Sequence, residues 1–157
     1  MRLVSWSEFQ QATPDMAAIG HRLLHHPDRG EVAILATVGD RGAPQVAPVC
    51  PVFTDRALYV LASRATPKVL QLQRDPRYAL HAQVGATDLE FQITGRVRPV
   101  DSPVERSSVL AAITFDSFDP EDPIFELLIG RAITVVWPAP DRPTKLRWPP
   151  ADRASAG

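Results

Sequence analysis

Two periodicities divide the chain. Up to residue 28 the apolar positions recur at helical spacing; from residue 31 they alternate or run together in short blocks. Ser5 and Glu8 have capping-box spacing, and Trp6 and Phe9 would face a core. Thr13-Pro14-Asp15 predicts a second helix with proline at its first position, and Met16, Ile19, Leu23 and Leu24 supply its apolar stripe. His21, His25 and His26 fall near the end of that helix, where positive charge is favoured; adjacent histidines on a helix diverge and make a poor metal site.

The second part reads as strands. "EVAILATV" is β-rich, "GDRG" is a turn, and "APQVAPVCPVF" is a second extended run. Pro48 and Pro51 cannot donate to a ladder, so this strand must be bulged, lie at an edge or leave one side unpaired. "ALYVLAS" predicts a third strand, "TPKVLQLQ" a short helix, and "RYALHAQV" and "LEFQITGRVRPV" two more strands. Asp101-Ser102-Pro103 opens a helix holding Val104, Val109, Leu110 and Ile113; "ELLIGRAITVVW" and "TKLRW" then close the sheet. Six or seven strands in mostly hairpin order, with helices inserted at a few points, predict a mainly β domain: an antiparallel barrel with flanking helices over residues 1–149, followed by a mobile tail at 150–157. Strict βα alternation is missing, as are G-x-G-x-x-G and a Walker lysine loop.

Composition narrows the function. At 157 residues, 45% apolar and 22% charged, the chain is an ordinary globular one, and a net charge of −1 favours no nucleic-acid partner. No apolar run nears the ~20 residues that span a bilayer, and "MRLVSWSEFQ" lacks a signal-peptide core. The single cysteine, Cys50, makes no internal disulfide, which fits a cytoplasmic setting, and reads as a small buried hydrophobe. His81 reads as a core or interface histidine, and Trp137 and Trp148 as core or dimer-seam residues. "FDSFDPEDPIFE" lacks calcium-loop spacing and reads as a solvated loop over one end of the barrel. No Ser-His-Asp set or paired carboxylates support hydrolysis.

One corner stands out. The chain has two lysines, and Lys68 sits in the first turn of a helix, where the dipole disfavours a cation. Thr66 takes the N-cap position and Pro67 the first helical one, with Ser63 and Arg64 just upstream. Free first-turn amides, a hydroxyl, a guanidinium and an ammonium together suit a phosphate. The plain alternative is that Thr66 only caps the helix while Arg64 and Lys68 stay solvated.

The run from "ILATVGDRGAPQVAPVCPVF" through "LYVLASRATPKVLQLQRDPRYALH" to "EFQITGRVRPV" resembles the flavin-binding split-barrel family that includes pyridoxamine 5′-phosphate oxidase. The resemblance covers about residues 31–100 and, more loosely, the final strands. It rests on Lys68, Leu72, Asp75-Pro76-Arg77 and Gly95-Arg96 in order and spacing. It implies a six-stranded split barrel, a homodimer with flavin mononucleotide (FMN) at the subunit interface, and oxidoreductase activity on a small molecule. It also implies that Thr66 and Lys68 hold the phosphate, that Pro48, Val49 and Cys50 line the ring, and that Leu61 and Ala62 touch the cofactor. By spacing, Glu90 replaces a ring-contacting glutamine, and a carboxylate there disfavours an anionic reduced ring. Ala47 and Val52 stand where the oxidases carry basic residues, and Pro67 stands where they carry an arginine. Their Arg-x-His substrate motif is missing from "WPAPDRPTKLRWPP". These departures argue against pyridoxamine phosphate as substrate and thin the phosphate cage unless Arg64 compensates. A deazaflavin coenzyme is the alternative cofactor; a flavin, deazaflavin or haem binder without turnover is the alternative function.

Overall fold

A computed structural model describes residues 1–25 and 32–151. His26, Glu31 and the tail from residue 152, all part of the sequence reading, lie outside the described residues.

The capping box forms as its spacing predicts. Ser5 Oγ accepts from the Glu8 amide at 3.3 Å while Glu8 Oε2 accepts from the Ser5 amide at 2.8 Å, and α1 (Trp6–Ala12) buries Trp6 and Phe9. Pro14 then starts α2 (Pro14–Leu24), although the Thr13 side chain makes no cap bond. Met16 and Leu24 are buried and Ile19 and Leu23 pack at the core edge. Gly20 sits against the tip of the Phe91 ring; an added Cβ would fall 2.4 Å from Phe91 Cζ, so the helix docks closely only because nothing projects there. His21 differs from the expectation of a charged helix-end histidine. Its ring lies 4.6 Å from that of Phe53, and burial, with His25 nearby, lowers its pKa.

The strands are β1 (Ala33–Val38), β2 (Pro44–Val49), β3 (Pro51–Phe53), β4 (Leu58–Leu61), β5 (Arg77–Ala82), β6 (Glu90–Pro99), β7 (Ile124–Ala139) and β8 (Arg142–Trp148). The intervening helices are α3 (Pro67–Arg74) and α4 (Pro103–Ala111). All pairings are antiparallel, in the order β2-β1-β5-β6-β7-β4-β3, with β8 also on β7.

The extended run over 43–53 explains the closure. It breaks at Cys50, and its halves pair at opposite ends of the path, β2 with β1 and β3 with β4. One strand thus brings the two ends of a curled sheet together, the geometry of a split barrel. Pro48 and Pro51, which have no N–H to give, flank the crossing point, where a strand changes partners.

Alternation packs the interior. Along β6, Phe91, Ile93, Gly95 and Val97 point inward, meeting Leu35, Leu80, Leu127 and Ile129 beneath Phe9. Burying each large side chain here stabilises by roughly 1.5–3 kcal/mol. A second cluster, Val52, Tyr59, Val100, Val109 and Ile124, seats α4 on the sheet. β6 and β7 slip register at Thr94/Gly95, and there Gly95 is pressed against β7. The other sheet face carries the row Pro48–Ile34–His81–Gln92–Ile133–Arg147 in successive register, with Ile34 40% and the neighbouring Val46 71% exposed. Trp148 packs at the core edge, 5.2 Å from the Phe9 ring. Among the described residues no helix is long and apolar enough to cross a membrane.

Candidate functional site

The break between β2 and β3 leaves a cleft of about 330 Å³. Its walls are Val32, Pro48, Val49 and Cys50 on the strand side, Leu61, Ser63 and Lys68 at the corner, and Phe115, Ser117, Phe118 and Asp122 from the loop joining α4 to β7. Six of the ten positions expected from the sequence therefore meet in one cavity: Pro48, Val49, Cys50, Leu61, Ser63 and Lys68.

The corner is shaped by Thr66, though not as an N-cap usually works. Its amide and hydroxyl both donate to the Ser63 carbonyl, at 2.9 and 2.7 Å, and its side chain makes no bond to the helix amides. The start of α3 is left without a side-chain cap, and its dipole is available to an anion. Lys68 is half-buried in the first turn, and among the described residues no carboxylate lies within salt-bridge distance of it. A cation facing a helix start, with no acidic partner, is an anion site in electrostatic terms.

The remaining expected residues sit elsewhere. Arg64 turns from the cleft to the α4–β7 loop: its guanidinium donates to the Glu121 carbonyl, and its amide donates to Asp122 Oδ1 at 3.2 Å. The Glu121 carbonyl and the Glu121 carboxylate at 4.0 Å engage its guanidinium, outside the cleft lining. Ala62 has its side chain in the core and its amide on the Pro123 carbonyl at 3.0 Å. Glu90 opens β6 opposite Val135, on the same sheet face as Gln92 and outside the cleft lining.

The sequence reading missed the cleft's far wall. Phe115 packs against the second core cluster, and Phe118 stands edge-on to it at 6.1 Å and 80°. The signal was two phenylalanines three residues apart in an otherwise acidic loop. At the other end of α3, Arg77 Nη2 meets Asp75 Oδ2 at 2.6 Å and Arg77 holds that carboxyl down at about 2.

A larger polar cleft, about 840 Å³, lies between the start of α1 and α4. Arg98 bridges the buried Glu126 at 2.7 Å and Glu105 at 2.5 Å, and Tyr59 donates to Glu105 at 3.0 Å. Those groups satisfy one another and fasten α4 to β4, β6 and β7. The smaller cleft is the better cofactor site, because it joins an apolar wall to a free cation.

The family model described as "Pyridoxamine 5'-phosphate oxidase" matches residues 27–132, well over half of the chain. The chain belongs to this family. The matched span holds every cleft-lining residue named above. No curated protein matches the sequence. Solved structures share the fold at low identity. A pyridoxamine 5'-phosphate oxidase-related, FMN binding protein from Nostoc punctiforme PCC 73102 is 12% identical, covering 88% of this chain and 96% of its own, with a TM-score of 0.59. A heme binding protein from Mycobacterium smegmatis is 16% identical over 82% and 57%, at 0.59. PhzG from Burkholderia lata 383, solved with tetrahydrophenazine-1-carboxylic acid, is 13% identical over 89% and 85%, at 0.62.

Proposed function

We propose that this member of the pyridoxamine 5'-phosphate oxidase family is an FMN-dependent oxidoreductase acting on a small molecule other than pyridoxamine phosphate. The observation that carries the reading is the meeting of Lys68, Ser63 and the uncapped start of α3 with the broken strand at Pro48–Cys50 in one cleft. The donor set suits a phosphate, and the apolar lining of Val32, Val49, Cys50 and Leu61 suits a flat ring. Bound there, FMN would supply hydride or electron transfer.

The chain's own part is to grip and orient. Lys68 and Ser63 hold the phosphate, Thr66 fixes the turn that aims them, and the main chain at Pro48, Val49 and Cys50 borders the ring. Glu90 lies on the outer sheet face with Ile34, Val46 and Ile133, a face we assign to a second copy of the chain; it would border the cofactor only across that seam. Exposed apolar positions on a regular sheet face favour such a homodimer. The lone cysteine is consistent with a reducing, cytoplasmic compartment.

One observation favours a second cofactor. Arg64 is committed to Glu121, so the cage has a single ammonium. A deazaflavin coenzyme, whose phosphodiester carries one negative charge, asks for less than a phosphate dianion.

The test is uptake of FMN followed by anaerobic reduction. The reading expects stoichiometric binding and bleaching of the flavin bands by a nicotinamide donor. Colour that no donor bleaches would indicate a carrier, and unmoved fluorescence and thermal midpoint at saturating FMN would overturn the flavin reading.

A further inference from the structure

The α4–β7 loop is held in place on one side and presents aromatic rings on the other. Arg106 Nη2 donates to the carbonyls of Pro120 and Asp122, at 2.9 and 3.0 Å, and Arg64 reaches the carbonyl of Glu121 between them. The Asp122 amide donates to the Asp119 carbonyl at 3.0 Å, and the Glu121 amide to Asp119 Oδ1 at 2.9 Å. The Pro123 carbonyl is tied to the Ala62 amide, just past β4 and leading into the phosphate corner. Two arginines and the Ala62 amide thus take up four consecutive carbonyls, residues 120–123. The loop is a built wall, not a loose flap.

Its cleft side carries Phe115, Ser117, Phe118 and Asp122. Ser117 has φ 68°, the left-handed region that a serine rarely adopts, and such backbone strain is found where the surrounding structure enforces it. Phe115 is fixed by the second core cluster, whereas Phe118 leans on it with 39% of its surface exposed. A large ring left open at a cleft mouth, on a rigid support, is a surface for another flat apolar group. Asp122 is the charge this wall brings into the cleft, and its sign opposes that of Lys68.

We propose that this loop is the substrate wall: Phe118, backed by Phe115, selects an uncharged, planar, apolar molecule such as a small quinone, and Asp122 turns anionic analogues away. This substrate role rests on the proposed function, but the selectivity belongs to residues outside the phosphate corner.

The probes are 2-methyl-1,4-naphthoquinone and the anionic 1,4-naphthoquinone-2-sulfonate, with affinities measured by equilibrium dialysis. FMN uptake is measured first and separately. The quinones are then titrated into the loaded protein, or, if it takes no FMN, into the Lys68→Ala variant, whose cleft lacks the cation that would itself draw the sulfonate, so failure of the flavin site and failure of the substrate wall give different results. The proposal expects wild type to prefer the neutral quinone and Phe118→Ala to weaken it about tenfold at an unchanged thermal midpoint, with Phe118→Trp restoring it. It expects Asp122→Asn, which keeps an acceptor for the Arg64 amide, to improve the sulfonate several-fold and leave the neutral quinone unchanged. Equal affinity for both probes, no neutral-quinone binding, or indifference to both substitutions would overturn it.

Discussion

Thr66 turns back on Ser63, giving both its amide and its hydroxyl to one carbonyl, at 2.9 and 2.7 Å. This relationship converts an expected helix cap into a tight corner. It leaves the start of α3 to be satisfied from outside, and puts Ser63 and Lys68 in the same cleft. Thr66→Val removes one of the two bonds while keeping the branched shape. The expected outcome is a loss of about 1 kcal/mol in unfolding free energy and a several-fold weaker FMN affinity, read by denaturant titration and calorimetry. An affinity unaltered by the substitution would show that the corner's shape does not matter to the ligand.

Gly95 tests the barrel itself. A Cβ built there would lie 1.9 Å from the Leu128 carbonyl oxygen, a main-chain atom that cannot step aside. Gly95→Ala should cost about 4 kcal/mol or more, or prevent folding. Gly130→Ala is the control across the register slip: its nearest contact, at 2.5 Å, is the Met1 thioether, the end of an exposed flexible side chain. Thermal denaturation of the two variants should therefore differ widely, and similar midpoints would mean that β6 and β7 approach each other less closely at Gly95.

The Arg98–Glu105–Glu126–Tyr59 network makes a prediction in pH. Burial and then the Glu105 carboxylate push the Tyr59 phenol from 10.0 up to about 12. The folded state therefore holds this proton more tightly than the unfolded chain does. The resulting stability is complete below pH 10 and is lost as pH rises toward 12, with a magnitude on the order of 2 kcal/mol. Tyr78, also pushed up by burial, acts in the same direction and remains in either protein. Denaturant midpoints between pH 9 and 11.5 should fall for the wild type and fall less steeply for Tyr59→Phe; parallel curves would exclude the network as the source.

Much of this was legible in the sequence where physics is local. Ser5 and Glu8 announced their capping box, and "LEFQITGRVRPV" announced a strand, which the structure shows as β6. Pro48 and Pro51 announced a strand that is bulged, at an edge or unpaired on one side, and its halves lie at the two ends of the path. That the segment around Cys50 joins both ends of the sheet was not legible, because partner choice is a property of the whole path β2-β1-β5-β6-β7-β4-β3. Within the site, the order of Ser63, Thr66, Lys68 and Asp75-Pro76-Arg77 marked the corner. The destination of Arg64 was hidden, since its partner Glu121 is fifty-seven residues away in the chain. Phe115 and Phe118 were hidden for the same reason: charges around them read as solvent, and only the packing of α4 turns their loop inward. Glu126 looked like one polar residue opening an apolar run, yet its side chain is 8% exposed and paired to Arg98.

The proposed function turns on Lys68 gripping a phosphate. Calorimetric titration of the wild type and Lys68→Ala with FMN and with riboflavin, which has the same ring and no phosphate, tests it most directly. The wild type should bind FMN at least tenfold more tightly than riboflavin, and Lys68→Ala should weaken FMN by about 10- to 100-fold while leaving riboflavin unchanged. Equal wild-type affinities for the two flavins, or an FMN affinity indifferent to the loss of the lysine, would contradict it.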